Sequence, residues 1–257
     1  MSIITAGSRP RWAAATIGVA LGITLTGCGG GSDHSDKKAP AAGTNSTAAG
    51  AEAAKFGDGP ATIATARTKT VQIYQNPGDA EPSMRLRNPN PDGVTRVFLV
   101  IGTQPGWLHV LLPAPPNGSQ GWISTEDVTT AKTSYWVQVL QSKHRVKVYQ
   151  GKKVLIDTPA AIGKADTPTP GGRYYLTELL QAPNPEGAYG PYAYGLNGYS
   201  TTLTQFNGQD PIIGIHGTNE PKSLGTSVSH GCVRVANDVI TKMAKMLPLG
   251  TPVQIAS

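Results

Sequence analysis

Two histidines and a cysteine stand close together toward the end of this chain: His216-Gly217-Thr218, and then Ser229-His230-Gly231-Cys232-Val233-Arg234, with Cys232 sixteen positions after His216. A thiol with a reference pKa of about 8.5 is only a few per cent thiolate at neutral pH, so attack on an amide carbonyl needs an adjacent imidazole to take its proton. His216 can be that base. An imidazole base must in turn be held in one tautomer through its other nitrogen, and a backbone carbonyl at Gly217 could serve where no carboxylate is obvious. The oxyanion that forms needs fixed donors, and backbone N–H groups around Gly231, Cys232 and Val233 can converge on it from a turn that glycine permits. Two bland readings compete. A single cysteine can be a small buried hydrophobe, but that leaves the flanking histidines unexplained. His216, His230 and Cys232 could also be metal ligands, but a structural zinc site wants four ligands with short paired spacings and no fourth soft ligand is near, so zinc is not expected.

The cysteine count sharpens the point, because the chain has only two, Cys28 and Cys232. Arg9 and Arg11, an apolar stretch from Trp12 to Leu25 and the tetrad Leu25-Thr26-Gly27-Cys28 read as an export signal. The tetrad resembles the lipobox of bacterial lipoproteins, which implies a signal peptide over residues 1–27, lipidation of the Cys28 thiol and attachment to the outer face of the cell membrane. Cys232 then has no disulfide partner in an oxidising compartment, and an exported free thiol is a liability unless it is buried or used.

These residues need elements to hold them. Residues 28–61 are rich in Gly, Ala, Ser, Thr and charged residues, with no sustained apolar period. They read as a flexible tether with a root-mean-square span of roughly 30 to 35 Å, long enough to carry a domain from the membrane into the wall. Over residues 62–130 short β-type runs such as TVQIY, RVFLVIG, WLHVLL and GWIS alternate with turn signals, which suggests a small barrel. From 135 to 257 a second β-rich segment begins with YWVQVLQS and a hairpin-like RVKVYQGKKVLID; QAPNPEGAYGPYAYGLNGYS reads as a long loop, and PIIGIHG as a buried strand. One helix is expected from Asn237 to Leu247, where Val239, Ile240, Met243, Met246 and Leu247 share a face and Pro248 and Gly250 follow as stop signals. The expected fold is therefore mainly β with one principal helix. Thirty-one glycines, 21 prolines and 15% charged residues agree with turn-rich β structure, and a net charge of +6 without a basic stripe argues against nucleic acid as a partner.

The pattern H-G-T followed by S-H-G-C-V-R, with TPTPGG, GPYAYGL and GTPVQI around it, resembles the L,D-transpeptidase catalytic domain of the YkuD type over about residues 135–255. The resemblance implies that Cys232 is the acylated nucleophile, His216 its proton acceptor and Gly217 the residue that orients His216. It implies that His230, Gly231 and Arg234 shape the pocket for the donor stem peptide. Ser229 and Val233 complete the candidate substrate-binding set, and Tyr192 and Tyr194 either line the mouth of the cleft or are ordinary loop packing. The reaction implied is transfer of a peptidoglycan stem tetrapeptide, cleaved after its diamino third residue, onto the side-chain amine of another stem, and carbapenem-type β-lactams are implied inhibitors because their strained carbonyl mimics the donor amide. Position 234 is Arg where part of the family has Asn, which leaves the details of stem recognition open. The motifs Trp107-Leu108, Gly121-Trp122-Ile123 and Asp127-Val128 similarly resemble a bacterial SH3-like domain over residues 62–130. Papain-like wall endopeptidases place the Cys before the His, opposite to the order here, and the T-L-x-T-C strand of sortases is missing. Trimming of stem tetrapeptides, and a non-catalytic wall-binding lipoprotein, remain as alternative functions.

Overall fold

Side-chain alternation along the strands decides which residues reach the site. The structure, a computed structural model, describes residues 58–257. Cys28, the leader and nearly all of the tether lie outside the described residues. In the first part, β1 (Ala61–Ala66), β2 (Thr70–Ile73), β3 (Met84–Arg87), β4 (Val97–Gln104), β5 (Trp107–Leu111), β6 (Gln120–Ser124) and β7 (Val128–Thr133) follow in chain order. Five of them form an antiparallel sheet in the order β6-β5-β4-β1-β7, and β2 pairs with β3 as a separate hairpin. Every second residue of these strands points inward, so Ala64, Val71, Ile73, Phe98, Val110 and Ile123 make one small core.

The second part comprises β8 (Tyr135–Leu140), β9 (Arg145–Gln150), β10 (Lys153–Pro159), β11 (Ile162–Gly163), β12 (Gly172–Gln181), β13 (Tyr192–Tyr199), β14 (Ile212–His216), β15 (Ser227–Ser229), β16 (Val233–Arg234), helix α1 (Asn237–Met246) and β17 (Pro252–Ala256). Eight of these strands form one sheet in the order β10-β9-β8-β17-β12-β13-β14-β16. The fold is thus mainly β with one principal α-helix. The helix runs where its apolar period predicts, with Ile240 and Met243 buried against the sheet and Leu247 closing it before Pro248. The core beneath it contains Val137, Val148, Leu196, Ile213, Ile215, Val233 and Ile255.

The segment expected as one long loop after β12 is half strand. The glycines within the strand are packing residues rather than turn formers: a Cβ at Gly198 would sit 2.6 Å from the Tyr174 ring, and one at Gly195 would sit 2.6 Å from the Glu178 carboxylate. Tyr194, expected at the cleft mouth, is instead fully buried, and its hydroxyl donates toward the Met243 and Leu247 carbonyls at the end of α1, at 3.1 and 3.0 Å. The Met243 carbonyl already accepts the Leu247 N–H at 2.8 Å, so the hydroxyl adds a second tie to the C-terminal turn of the helix.

Between Thr133 at the end of β7 and Tyr135 at the start of β8 only Ser134 intervenes. The two parts share a core of Ile63, Val97, Leu99, Leu111 and Tyr175. Polar contacts reinforce it: Asn117 exchanges two 2.8 Å hydrogen bonds with the Tyr199 backbone, and Asn90 donates to Glu178 Oε2 at 2.6 Å. Burial, and then the neighbouring Asp92 carboxylate, push Glu178 from its ordinary 4.5 up to about 7, against the opposing effects of the Asn90 hydrogen bond and the Arg96 charge. Because the folded carboxyl keeps its proton up to about 7 while the unfolded one releases it near 4.5, the native state holds more protons across that window, and this junction loses stability as pH rises through it. Glu178→Gln mimics the protonated acid, keeping an acceptor for Asn90 and a donor for Asp92. It should therefore melt above the wild type at pH 8, with the gap closing as pH falls below 5. A gap in melting temperature independent of pH would contradict this origin.

Candidate active site

β14 and β16 run parallel, with Ile215 opposite Val233 and His216 opposite Arg234. Ile213, Ile215 and Val233 are buried in the core beneath the sheet, so alternation sends Gly214, His216 and Arg234 to the other face. Cys232 precedes Val233 and falls on that same face beside Gly214, whose backbone hydrogen-bonds the thiol. The nucleophile and the base expected from the sequence thus share one face of two adjacent strands, two residues apart in register.

His216 is only 4% exposed, and its Nδ1 lies 2.6 Å from the Gly217 carbonyl. A carbonyl can only accept, so Nδ1 carries the proton and Nε2 keeps its lone pair. Burial pushes the imidazole down to about 4; the Gly217 hydrogen bond opposes the shift, and the Arg234 charge adds to it. The Cys232 thiol is pushed up by burial, against the Gly214 hydrogen bond and the Arg234 charge, which favour the thiolate. At neutral pH the pair therefore rests as thiol and neutral imidazole, and charge separates only when the proton moves.

A residue that the motif reading did not single out fixes Gly217. Asn237, the first residue of α1, accepts the Thr218 N–H at 2.8 Å and packs its Oδ1 against Gly217. Its neighbour Ala236 is the helix N-cap and offers no side-chain cap. The only sequence signal was an Asn at a helix start, and that pattern reads as capping rather than as a support for another strand.

The turn carrying the nucleophile is held from within. Ser229 is 1% exposed, its Oγ donates to the Cys232 carbonyl at 2.6 Å, and it accepts the Gly231 N–H at 3.1 Å. Thr167 and Thr169 donate to the Ser229 and Gly231 carbonyls at 3.1 and 2.8 Å. Gly231 has φ +121°, and a Cβ there would lie 2.8 Å from Ile213 Cδ1. Ser229 and Val233, expected among the substrate-binding residues, are interior side chains that shape the turn and the core. Likewise Gly231 N–H is occupied, so it is not a free donor for an oxyanion. Among the described residues no protein acceptor takes the Cys232 N–H.

Around this face stand the other candidates. His230 is exposed and its ring lies 5.9 Å from that of Phe206. Arg234 is ion-paired to Glu220 at 2.9 Å. Tyr192 is half-buried against the core, and its carbonyl accepts the Gly217 N–H at 3.3 Å, so its contribution runs through the backbone. Tyr189, which the motif reading passed over, lays its ring 4.8 Å from the His216 ring. Four of the large exposed apolar side chains adjoin the site: Tyr189, Phe206, Ile212 and Val228, each 37–43% exposed. An apolar rim of this kind around a reactive thiol suits a ligand with its own apolar surface.

Residues 134–255 match the family model of YkuD, the L,D-transpeptidase catalytic domain. Among curated relatives, the putative L,D-transpeptidase YkuD of Bacillus licheniformis is 32% identical over 121 residues, 47% of this chain and 65% of that protein. The protein of the same name from Bacillus subtilis strain 168 is 36% identical over 103 residues, 40% of this chain and 54% of its own length. The chain therefore spans between half and two thirds of these relatives. Among solved structures, Bd1075 of Bdellovibrio bacteriovorus is similar over 48% of each chain, with 33% identity and a TM-score of 0.39. L,D-transpeptidase 3 from Mycobacterium tuberculosis, in complex with a faropenem-derived adduct, is 13% identical with a TM-score of 0.41.

Proposed function

With residues 134–255 matching an L,D-transpeptidase catalytic domain, we propose that this protein is a cysteine-dependent L,D-transpeptidase that joins peptidoglycan stem peptides through an acyl-enzyme on Cys232. The observation that carries the reading is the Cys232 thiol and the His216 imidazole on one sheet face, with Nδ1 tied to the Gly217 carbonyl so that Nε2 is the free base. In the first step the thiol proton passes to His216 Nε2 as sulfur bonds to the carbonyl carbon of the donor's diamino third residue. The carbonyl electrons move to oxygen, where the Cys232 N–H is the available backbone donor. Collapse breaks the C–N bond, and the departing amine of the terminal residue takes the proton from His216. The side-chain amine of a second stem then attacks the thioester, with His216 accepting its proton and returning one to the Cys232 sulfur. Mass spectrometry of the protein with a defined stem tetrapeptide, with and without an amine acceptor, tests this. With the donor's own side-chain amine blocked, an adduct on Cys232 that becomes a cross-linked dimer only when a second stem's amine is present supports it. An adduct released by water alone would make trimming the reaction, and no adduct would overturn both.

The same proposal places the protein outside the cell, anchored through a lipidated Cys28, with an SH3-like module over residues 62–130 beside the catalytic domain. The lipobox-like tetrad and the charge-poor apolar stretch before it support the anchor. The lipid a lipobox cysteine receives is a diacylglycerol, whose two acyl chains hold a protein to a bilayer far more firmly than one. Cys28→Ala should therefore release the protein from the membrane fraction while leaving acylation of Cys232 unchanged, and firm retention of the variant would point to an uncleaved membrane anchor.

A further inference from the structure

Burial of His216 under the sheet face has an identifiable cover. Tyr189 lies in the segment between β12 and β13, its ring centroid is 4.8 Å from that of His216 with the planes tilted by 55°, and it is itself 41% exposed on its outer side. The segment is not loose. Glu186 N–H bonds to Asn184 Oδ1 at 3.1 Å, Gly190 N–H to the Gly187 carbonyl at 2.9 Å, and Ala182 N–H to the Pro191 carbonyl at 3.0 Å. Gly190 has φ +62°, and a Cβ on it would meet Asn237 Oδ1 and lie 2.7 Å from Gly217 Cα. The backbone beside Tyr189 is therefore pressed onto the glycine whose carbonyl fixes the His216 tautomer, and Tyr189 is delivered to the imidazole by that approach.

Resting on the reading of Cys232 and His216 as nucleophile and base, we infer that Tyr189 is a positioning residue: its ring covers the His216 imidazole and offers a π surface to the imidazolium that forms when the Cys232 proton is transferred. A cation beside an aromatic face is attracted by the ring quadrupole, most strongly where water is excluded. The neutral imidazole gains less, so the contact favours the charge-separated state over the resting one. The ionisable groups around this ring pair are few: Cys232 and Arg234 act electrostatically on Tyr189, Arg234 also acts on His216, and Glu220 is the partner of Arg234. Arg234 opposes the formation of a second positive charge, which makes a neutral π surface at this position more useful than another polar group. The ring of Tyr189, not its hydroxyl, makes the contact with the imidazole.

Three variants separate ring, cover and scaffold. Tyr189→Phe keeps the ring, Tyr189→Leu keeps an apolar cover without π electrons, and Tyr189→Ala removes both. Three readouts apply to each: the titration midpoint of His216 by NMR, the pH dependence of iodoacetamide alkylation followed on the peptide that carries Cys232, and the rate of acylation by a carbapenem. Melting temperatures are measured in parallel. Tyr189→Phe is expected within about twofold of the wild type, and Tyr189→Leu should slow acylation roughly 2- to 30-fold, the range of a cation–π contact, with little change in the concentration giving half-maximal rate. Tyr189→Ala should raise the His216 midpoint toward its ordinary 6.5, and the acid limb of alkylation should move with it. A purely structural role would lower the melting temperature and leave both pH readouts where they are, and that result, or a Tyr189→Leu protein acylated as fast as Tyr189→Phe, overturns the inference. If the carbapenem forms no adduct even on the wild type, the transpeptidase reading fails separately, and the NMR midpoint and alkylation profile still decide the role of Tyr189.

Discussion

Cys232→Ala is expected to abolish covalent adduct formation completely, both with a stem tetrapeptide and with a carbapenem, while the protein folds as before. Cys232 is the one free thiol among the described residues and is not among the residues of the main core, so truncation to a methyl group removes a single partly buried sulfur and leaves that core intact. The turn that carries it is held by Ser229, Thr167 and Thr169 through backbone carbonyls, and none of those bonds involves the thiol. Intact-mass spectra report the outcome directly, with the melting temperature as the control for folding. The remaining cysteine, Cys28, does not confuse the readout, because on the proposed reading its sulfur is lipidated and has no free thiol to offer the β-lactam. An adduct that persists in Cys232→Ala would overturn the mechanism itself.

What could be read from the sequence and what could not divides along a physical line. That Cys232 and His216 come to one sheet face, with His216 Nδ1 against the Gly217 carbonyl, was legible because these residues lie within a short stretch flanked by a glycine that a tight turn requires. The helix was legible because Val239, Ile240, Met243 and Leu247 repeat at the helical period and Pro248 ends it. The strand over Tyr192–Tyr199 was not, since Gly195 and Gly198 imitate a loop until Glu178 and Tyr174 are seen to occupy the space their missing side chains leave. Tyr194 was placed at the cleft for the same reason, and alternation along β13 turns it inward to the end of α1 instead. Ser229 and Val233 carry the motif's spacing, yet one faces the interior of the turn and the other the core, which depends on register between β14 and β16 and has no trace in composition. Tyr189 and Asn237 reach His216 and Gly217 only through tertiary contact across Gly190, so no window of the sequence contains their role.

His216→Ala should slow acylation of Cys232 by about two to four orders of magnitude, the usual worth of a positioned general base. With the thiol pushed up by burial, almost none of it is thiolate at neutral pH, so the reaction depends on proton removal during attack rather than on a thiolate already present. The imidazole is matched to this, being held neutral by burial and lowered to about 4, which keeps Nε2 available across the whole neutral range. Protonation of His216 below about 4 removes the base, so the wild-type acylation rate should hold a plateau from about pH 5 upward and fall on its acid side only as that value is approached. In His216→Ala that acid limb should disappear, and the residual rate should instead climb tenfold per pH unit with the thiolate fraction. His230→Ala should cost far less, because His230 is exposed and meets the ring of Phe206 rather than the thiol. Stopped-flow acylation by a carbapenem across pH 4 to 9 measures all three proteins. A larger loss in His230→Ala than in His216→Ala, or an unchanged acid limb in His216→Ala, would mean that another group takes the proton.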